Sequence, residues 1–147
     1  MTTAGQLLLQ KGGQVWTVTP HTSLRDTLEL MAEKDIGVVV VMEGTRVAGI
    51  FSERDFAREA VKNREISLET PISKLMTRLV YFVRPEQTME ECMALMTEKH
   101  IRHLPVLVDD HVIGLISIGD VVKEVLSYKD TTIRSLENYI LGREYSL

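Results

Sequence analysis

The sequence predicts an α/β fold built from two tandem copies of a β-α-β-β-α unit, with a mixed sheet and the helices on one face. The first observation is an internal repeat, because a shift of 65 residues aligns two segments of the 147-residue chain without a gap. Val15, Pro20, Gly49, Ser52 and Asp55 each recur 65 positions later. Since the matches include glycine, proline, serine and aspartate, we infer a duplication rather than two amphipathic units of similar composition.

The second observation is the order of strand and helix signals within each repeat. A β-branched and aromatic run ends at a proline, over residues 15–18 and again over 80–83. A capping residue, Ser23 or Thr88, then precedes apolar residues at i, i+3, i+4 and i+7, the spacing of a helix that buries one face. A hairpin follows, and a second helix begins at Ser52 or Ser117. The predicted hairpin strands are 38–42 with 47–51, and 103–108 with 112–116.

These signals divide the chain into three parts. Residues 1–70 are predicted to hold repeat one with a short helix over 3–10, residues 71–128 to hold repeat two, and residues 129–147 to form a C-terminal helix and tail. Residues 63–70 are typical of a polar linker, and 71–76 of a helical turn. Ile133, Leu136 and Ile140 indicate a weakly amphipathic last helix, which packs on its own body or on another subunit.

The composition is that of an ordinary soluble globular protein, with 44% hydrophobic and 26% charged residues. A net charge of −4 argues against nucleic-acid binding and against a basic membrane-surface helix. No apolar run approaches the length of a membrane span and no signal peptide is visible, so we expect a cytoplasmic protein. Cys92 is the only cysteine and falls on the apolar stripe of a helix, which indicates a packed thiol.

A short motif, glycine followed by two apolar residues, serine, two further residues and aspartate, occurs twice. It ends at Asp55 in repeat one and at Asp120 in repeat two. Ser52 and Ser117 would be helix N-caps, where free N–H groups and the positive end of the helix dipole favour a phosphate. An aspartate one turn later can accept both hydroxyls of a ribose. The same pattern is also a capping box that needs no ligand, but two copies in register favour a nucleotide site.

These features resemble a pair of CBS domains, also called a Bateman module. The resemblance covers roughly residues 5–130 and includes Arg102-His103-Leu104-Pro105-Val106 and Ser52-Glu53-Arg54-Asp55. It implies two tandem repeats related by a pseudo-two-fold axis, with ligand sites in the clefts between them. It also implies an adenosine ligand, which could be AMP, ADP, ATP, NAD or S-adenosylmethionine, and pairing of two modules into a disc-shaped homodimer.

The resemblance also implies roles for individual residues. In repeat two, Ser117 would meet phosphate, Asp120 the ribose, and Arg102 and His103 would add donors near the phosphates. In repeat one, Ser52 and Asp55 take the same roles, and Arg54 serves a phosphate in either cleft or is a surface residue. The adenine would lie against Val80, Tyr81, Ile101 and Pro105 in repeat two, and against Thr17, Gly37 and Val38 in repeat one.

The predicted function is a regulatory sensor that binds an adenosine ligand and signals occupancy to an unidentified effector protein by a conformational change. The sequence has no Walker motif, nucleophile elbow or zinc-ligand spacing, so we expect no catalytic cofactor, no metal and no enzymatic activity. Two alternatives are a structural dimerisation module with empty sites and a weak nucleotide-using enzyme.

Overall fold

The computed structural model describes residues 1–142, and the predicted tail residues 143–147 lie outside this part. The observed order of elements confirms the predicted α/β class and the two tandem units. In chain order they are α1 (Ala4–Lys11), β1 (Thr17–Val18), α2 (Leu24–Lys34), β2 (Val38–Glu43), β3 (Arg46–Ser52), α3 (Glu53–Lys62), a 3₁₀ helix (Ile72–Lys74), α4 (Met89–Lys99), β4 (His103–Val108), β5 (His111–Ser117) and α5 (Ile118–Ile140).

The helices begin at the capping residues that the sequence predicts. Ser23 and Thr88 accept hydrogen bonds from N–H groups in the first turns of α2 and α4. The predicted stripes are buried, with Leu24, Thr27 and Met31 in α2 and their counterparts in α4. The last helix is one continuous element, so α5 runs through residue 128, where the sequence suggested that repeat two ends.

Each repeat contains an antiparallel hairpin with a bulge at the same position. The β2–β3 pair shifts register between Val41 and Met42, and the β4–β5 pair between Val106 and Leu107. The second hairpin turns at Asp109 and Asp110, which both have positive φ, as a two-residue type I′ turn requires.

The first strand of each repeat is shorter than the predicted run of four residues. In repeat one, Thr17–Val18 pairs in parallel with β2. In repeat two, Val83 alone makes a parallel bridge, to Val106, while Val80 and Tyr81 line a cleft. Strand propensity therefore identified the segment but overestimated how much of it joins the sheet.

Two hydrophobic clusters form the core, one in each repeat, but each also receives a segment from outside its own repeat. Leu7 and Leu8 of α1 pack into the core of repeat two, although α1 precedes repeat one in the chain. Ile72 of the 3₁₀ helix packs into the core of repeat one. The predicted unit 1–70 thus includes a helix that packs on the other repeat, and these exchanged segments tie the two repeats together.

The glycine of the repeated motif provides room for these exchanged segments. A Cβ at Gly49 would lie 2.6 Å from the sulfur of Met76 and 2.8 Å from the carbonyl oxygen of Thr77. A Cβ at Gly114 would lie 2.5 Å from the side chain of Leu8. Both glycines are therefore explained by close packing against the segment that precedes the other repeat.

We predict that Cys92 is unreactive in the folded protein. Burial, together with the nearby Glu91 carboxylate, raises the pKa of this thiol to about 11, so the nucleophilic thiolate is scarce at pH 8. Alkylation by iodoacetamide, followed by mass spectrometry, should be slow in buffer and fast in guanidinium chloride. Equal rates in the two solutions would contradict a packed thiol.

Candidate functional site

Both copies of the serine–aspartate motif form capping boxes. The backbone N–H of Ser52 donates to Asp55 Oδ2 at 3.0 Å, and the N–H of Asp55 donates to Ser52 Oγ at 3.2 Å. Ser117 and Asp120 make the same pair of bonds at 2.9 and 3.2 Å. The capping interpretation is therefore correct for the local structure, and the ligand role of these residues stays a prediction.

The hairpin register places each serine cap beside the start of the preceding strand. Val38 pairs with Ser52, and the N–H of Glu53 donates to the carbonyl of Gly37 at 3.0 Å. In repeat two, His103 pairs with Ser117 in the same way. The sequence neighbours Gly37-Val38 and Arg102-His103 therefore lie beside the two helix starts.

A cleft of about 360 Å³ lies between the two repeats and includes one of these helix starts. From repeat one it contains Gly37, Val38, Ser52, Arg54 and Asp55. From repeat two it contains five other residues that the sequence singled out: Val80, Tyr81, Ile101, Arg102 and His103. The structure thus combines the phosphate and ribose candidates of repeat one with the adenine and basic candidates of repeat two.

Four of the predicted site residues do not line this cleft. Ser117 and Asp120 lie at the start of α5, where they belong to the other helix cap. Pro105 is buried within β4, and its carbonyl accepts a hydrogen bond from the N–H of Val83. Thr17 is exposed on β1, where it pairs with Val40. Apart from Arg54, which could serve either cleft, the sequence analysis drew the residues of each site from one repeat, whereas this cleft is lined by residues of both.

The cleft is lined by more cationic than anionic groups. Arg54, Arg58, Lys99 and Arg102 supply four cations, against the carboxylates of Glu53 and Asp55. An adjoining hollow of about 370 Å³ shares two of the arginines, Arg54 and Arg102, with the cleft. An anionic group placed where the two hollows meet would contact guanidinium groups from both repeats.

The rest of the cleft wall is largely apolar. Val38 and Ile50 from repeat one face the cleft together with Leu79, Val80 and Ile101 from the second half of the chain. Tyr81 also lies there, and the ammonium of Lys99 is 5.2 Å from the centre of its ring. A flat apolar group could be held on this wall while a charged group reached the arginines.

Several lining residues were not predicted from the sequence. Arg58 follows Arg54 by one helical turn on α3, so the i, i+4 spacing could have indicated it. Lys99 and His100 end α4, and His100 has positive φ in the C-cap position. Because they immediately precede Ile101, a predicted site residue, their position in the chain could have indicated that they line the site. The other residues that sequence reasoning missed are Ile50, Glu53, Thr77 and Leu79.

The imidazole of His103 is half-buried between the two helix starts. Burial lowers the pKa of His103 and the Lys11 and Arg102 charges lower it further, while Asp120 and Glu53 act in the opposite direction. The neutral form of the ring is therefore favoured, and in that form the ring can donate or accept a hydrogen bond without adding charge.

The two aspartates of the repeated motif have different neighbours. Asp55 Oδ1 accepts a hydrogen bond from Thr77 Oγ1 at 3.3 Å, on the edge of the cleft. Asp120 Oδ2 accepts one from Lys11 Nζ at 2.6 Å. Burial alone would raise the pKa of Asp120, but the hydrogen bonds from Lys11 and Ser117 outweigh it and the pKa is lowered.

Comparison with known proteins identifies the repeats. The family model described as CBS domain matches residues 12–62 and again residues 72–127. The chain belongs to the CBS domain family. It carries two CBS domains in tandem, and their last matched residues, 62 and 127, are separated by the 65 residues of the sequence repeat.

Individual relatives agree with this assignment. The CBS domain-containing protein CBSX3, mitochondrial, of Arabidopsis thaliana is 35% identical over 136 residues, which cover 89% of this chain and 66% of that protein. A solved CBS-domain protein from Burkholderia ambifaria is 46% identical, with a TM-score of 0.81 and coverage of 86% of this chain and 95% of the other. The CBS domain pair of protein MJ0100, solved with 5′-methylthioadenosine and S-adenosyl-L-methionine, is 18% identical with a TM-score of 0.75, covering 88% and 98%.

Residues 1–142 contain neither a candidate membrane span nor a candidate metal cluster. Within this range, no helix is both long enough and apolar enough to cross a bilayer. The same range contains no cluster of three or more histidine, cysteine, aspartate or glutamate side chains arranged to hold a metal ion.

Proposed function

We propose that this CBS pair is a regulatory module that binds an adenine nucleotide in the cleft between its repeats. The observation that carries the proposal is the composition of that cleft, whose lining combines a carboxylate at a helix start, apolar side chains and a group of arginines. These are the three environments that ribose, adenine and phosphate need. The adenosine ligands of the MJ0100 pair support the choice of an adenosine compound.

Each part of the nucleotide has a candidate partner. The adenine would pack on Val80, Tyr81 and Ile101, whose side chains supply apolar surface. The ribose hydroxyls would donate to Asp55, whose Oδ1 now meets only the weak 3.3 Å bond from Thr77. The phosphates would meet Arg54 and Arg102, with Ser52 and the start of α3 nearby.

The charge of the cleft favours a phosphate-bearing ligand over S-adenosylmethionine. That compound carries a positive sulfonium, which would face four cationic side chains. AMP, ADP, ATP and NAD carry negative phosphates instead. We therefore propose that this chain differs in ligand preference from the MJ0100 pair and prefers AMP, ADP, ATP or NAD.

The position of the cleft supports a regulatory role. A nucleotide bound there would contact repeat one through Asp55 and repeat two through Arg102, so its affinity would depend on how the repeats are arranged. Binding would shift the population toward the arrangement that fits the ligand, and a partner protein could detect the change. Ser52 Oγ and Thr77 Oγ1 donate to Asp55 in the cleft at 3.1 and 3.3 Å, but Ser52 and Asp55 form the cap of α3, so the proposal assigns these hydroxyls no catalytic step.

The proposed homodimer and effector protein depend on other surfaces. Beyond its first two turns, α5 exposes Leu126, Ile133, Leu136 and Ile140. Their spacing places them along one side of the helix, where a second chain could cover them. The effector protein and the cytoplasmic location stay predictions.

The proposal is tested by titration calorimetry with AMP, ADP, ATP, NAD, S-adenosylmethionine and methylthioadenosine. We expect saturable binding of the phosphate-bearing compounds, at least tenfold tighter than binding of S-adenosylmethionine, because one hydrogen bond to a charged group contributes about 1.5–3 kcal/mol. Product assays on the same samples should show no turnover of ATP or NAD. No binding at millimolar concentration would leave only a structural dimerisation module, and steady product formation would indicate an enzyme.

A further inference from the structure

The pseudo-symmetry of the two repeats implies a second cleft, at the start of α5. The 65-residue register places Ser117 and Asp120 where Ser52 and Asp55 stand in the first cleft. Backbone hydrogen bonds repeat as well, since Ile118 donates to Arg102 as Glu53 donates to Gly37. The second position therefore has the same helix start and the same carboxylate as the first.

The two positions differ in what contacts the aspartate. In the first cleft, Thr77 lies on the edge, and its backbone exchanges two hydrogen bonds with Ile50, of 2.9 and 2.8 Å. In the second, the ammonium of Lys11 takes the corresponding place. Lys11 Nζ donates to the carbonyl of Leu115, the counterpart of Ile50, at 2.9 Å and to Asp120 at 2.6 Å.

Lys11 reaches this place from a well-anchored helix. The N–H groups of Ala4 and Gly5, in the first turn of α1, donate to the carbonyls of Gln87 and Pro85 at 2.8 and 2.9 Å. Leu8, three residues before Lys11, is buried against Gly114. The backbone of α1 is therefore fixed on repeat two, and only the lysine side chain can leave the second position without loss of this packing.

We infer that Lys11 is an internal occupant of the second nucleotide position, which restricts the chain to one nucleotide, in the first cleft. Its ammonium neutralises the carboxylate that would receive a ribose and fills the space beside Leu115. A nucleotide could enter the second position only by displacing this group. The inference rests on the proposed function for its ligand class, but it concerns a different part of the molecule.

The test is the stoichiometry of ATP binding by titration calorimetry. We expect one ATP per chain for the wild-type protein and two for Lys11→Met, in which the methionine keeps the apolar stem and loses the charge. In Lys11→Met/Asp55→Asn, where the first cleft is impaired, the single remaining site should be the second. Thermal melts of each variant confirm that it is folded.

Lys62→Met is the matched control, because Lys62 is an exposed lysine that, like Lys11, ends a helix, and it does not line the first cleft. It should bind one ATP. The inference is overturned if Lys11→Met binds no more ATP than the wild type or if the wild type already binds two. If the wild type binds none and Lys11→Met binds one, the inference stands and the function proposed for the first cleft fails.

Discussion

Replacing Arg102 by glutamate should reduce the affinity for ATP by at least a hundredfold while leaving the fold intact. Arg102 lies where the cleft meets the adjoining hollow. Its counterpart 65 residues earlier is Gly37, so repeat one has no cationic side chain at the equivalent position. A hydrogen bond to a charged group contributes about 1.5–3 kcal/mol, and charge reversal adds repulsion of the phosphates. Titration calorimetry measures the change.

The side chain of Arg102 is exposed, so its loss should not disturb the core. Arg84→Glu provides the control, since Arg84 is an exposed arginine of the same repeat that does not line the cleft. Both variants change the net charge by the same amount, which separates a local contact from the general field of the protein. If the two variants bind ATP equally well, phosphate is not held at the cleft arginines.

Replacing Phe51 by alanine should lower the free energy of unfolding by about 3–5 kcal/mol. Phe51 is fully buried on β3, one residue before the Ser52 cap, and it packs in the core of repeat one with Leu24, Met31 and Ile72. Truncation would remove these contacts and leave a cavity that the surrounding strands can close only in part. Urea unfolding followed by circular dichroism measures the loss.

Val61→Ala provides the comparison, because Val61 lies on α3 with 80% of its surface exposed and should change stability by less than about 0.5 kcal/mol. A loss below about 1 kcal/mol for Phe51→Ala would show that the core of repeat one adds little to the stability. Because Ile72 of the 3₁₀ helix packs in the same cluster, the variant should also loosen the connection to repeat two.

The two predictions concern features that the sequence indicated with different success. Phe51 ends the apolar run 47–51, which the sequence predicts as the second strand of a hairpin, and the strand is present. Arg102 was proposed as a phosphate donor for the Ser117 site, but it lines the cleft with Ser52 and Asp55. Residue type and position along the chain predicted its chemistry, while the packing of the repeats determined its neighbours.

By itself, the sequence determined the local structure of each repeat. The N-caps at Ser23, Ser52, Thr88 and Ser117 and the buried stripes of α2 and α4 depend on residues a few positions apart, so short-range hydrogen bonds and periodicity specify them. The duplication was likewise visible, because it is a property of the residue order alone.

Only the tertiary structure decided which surfaces meet. Helix α1 is buried on repeat two, Val83 bridges to Val106, and Lys11 contacts Asp120. Each of these contacts joins residues far apart in the chain. Such contacts depend on how two nearly equivalent units pack, and a repeat pattern that is the same in both units cannot distinguish its own copy from the other. The two helix starts therefore read alike in sequence, yet one lies in an open cleft and the other is paired with a lysine.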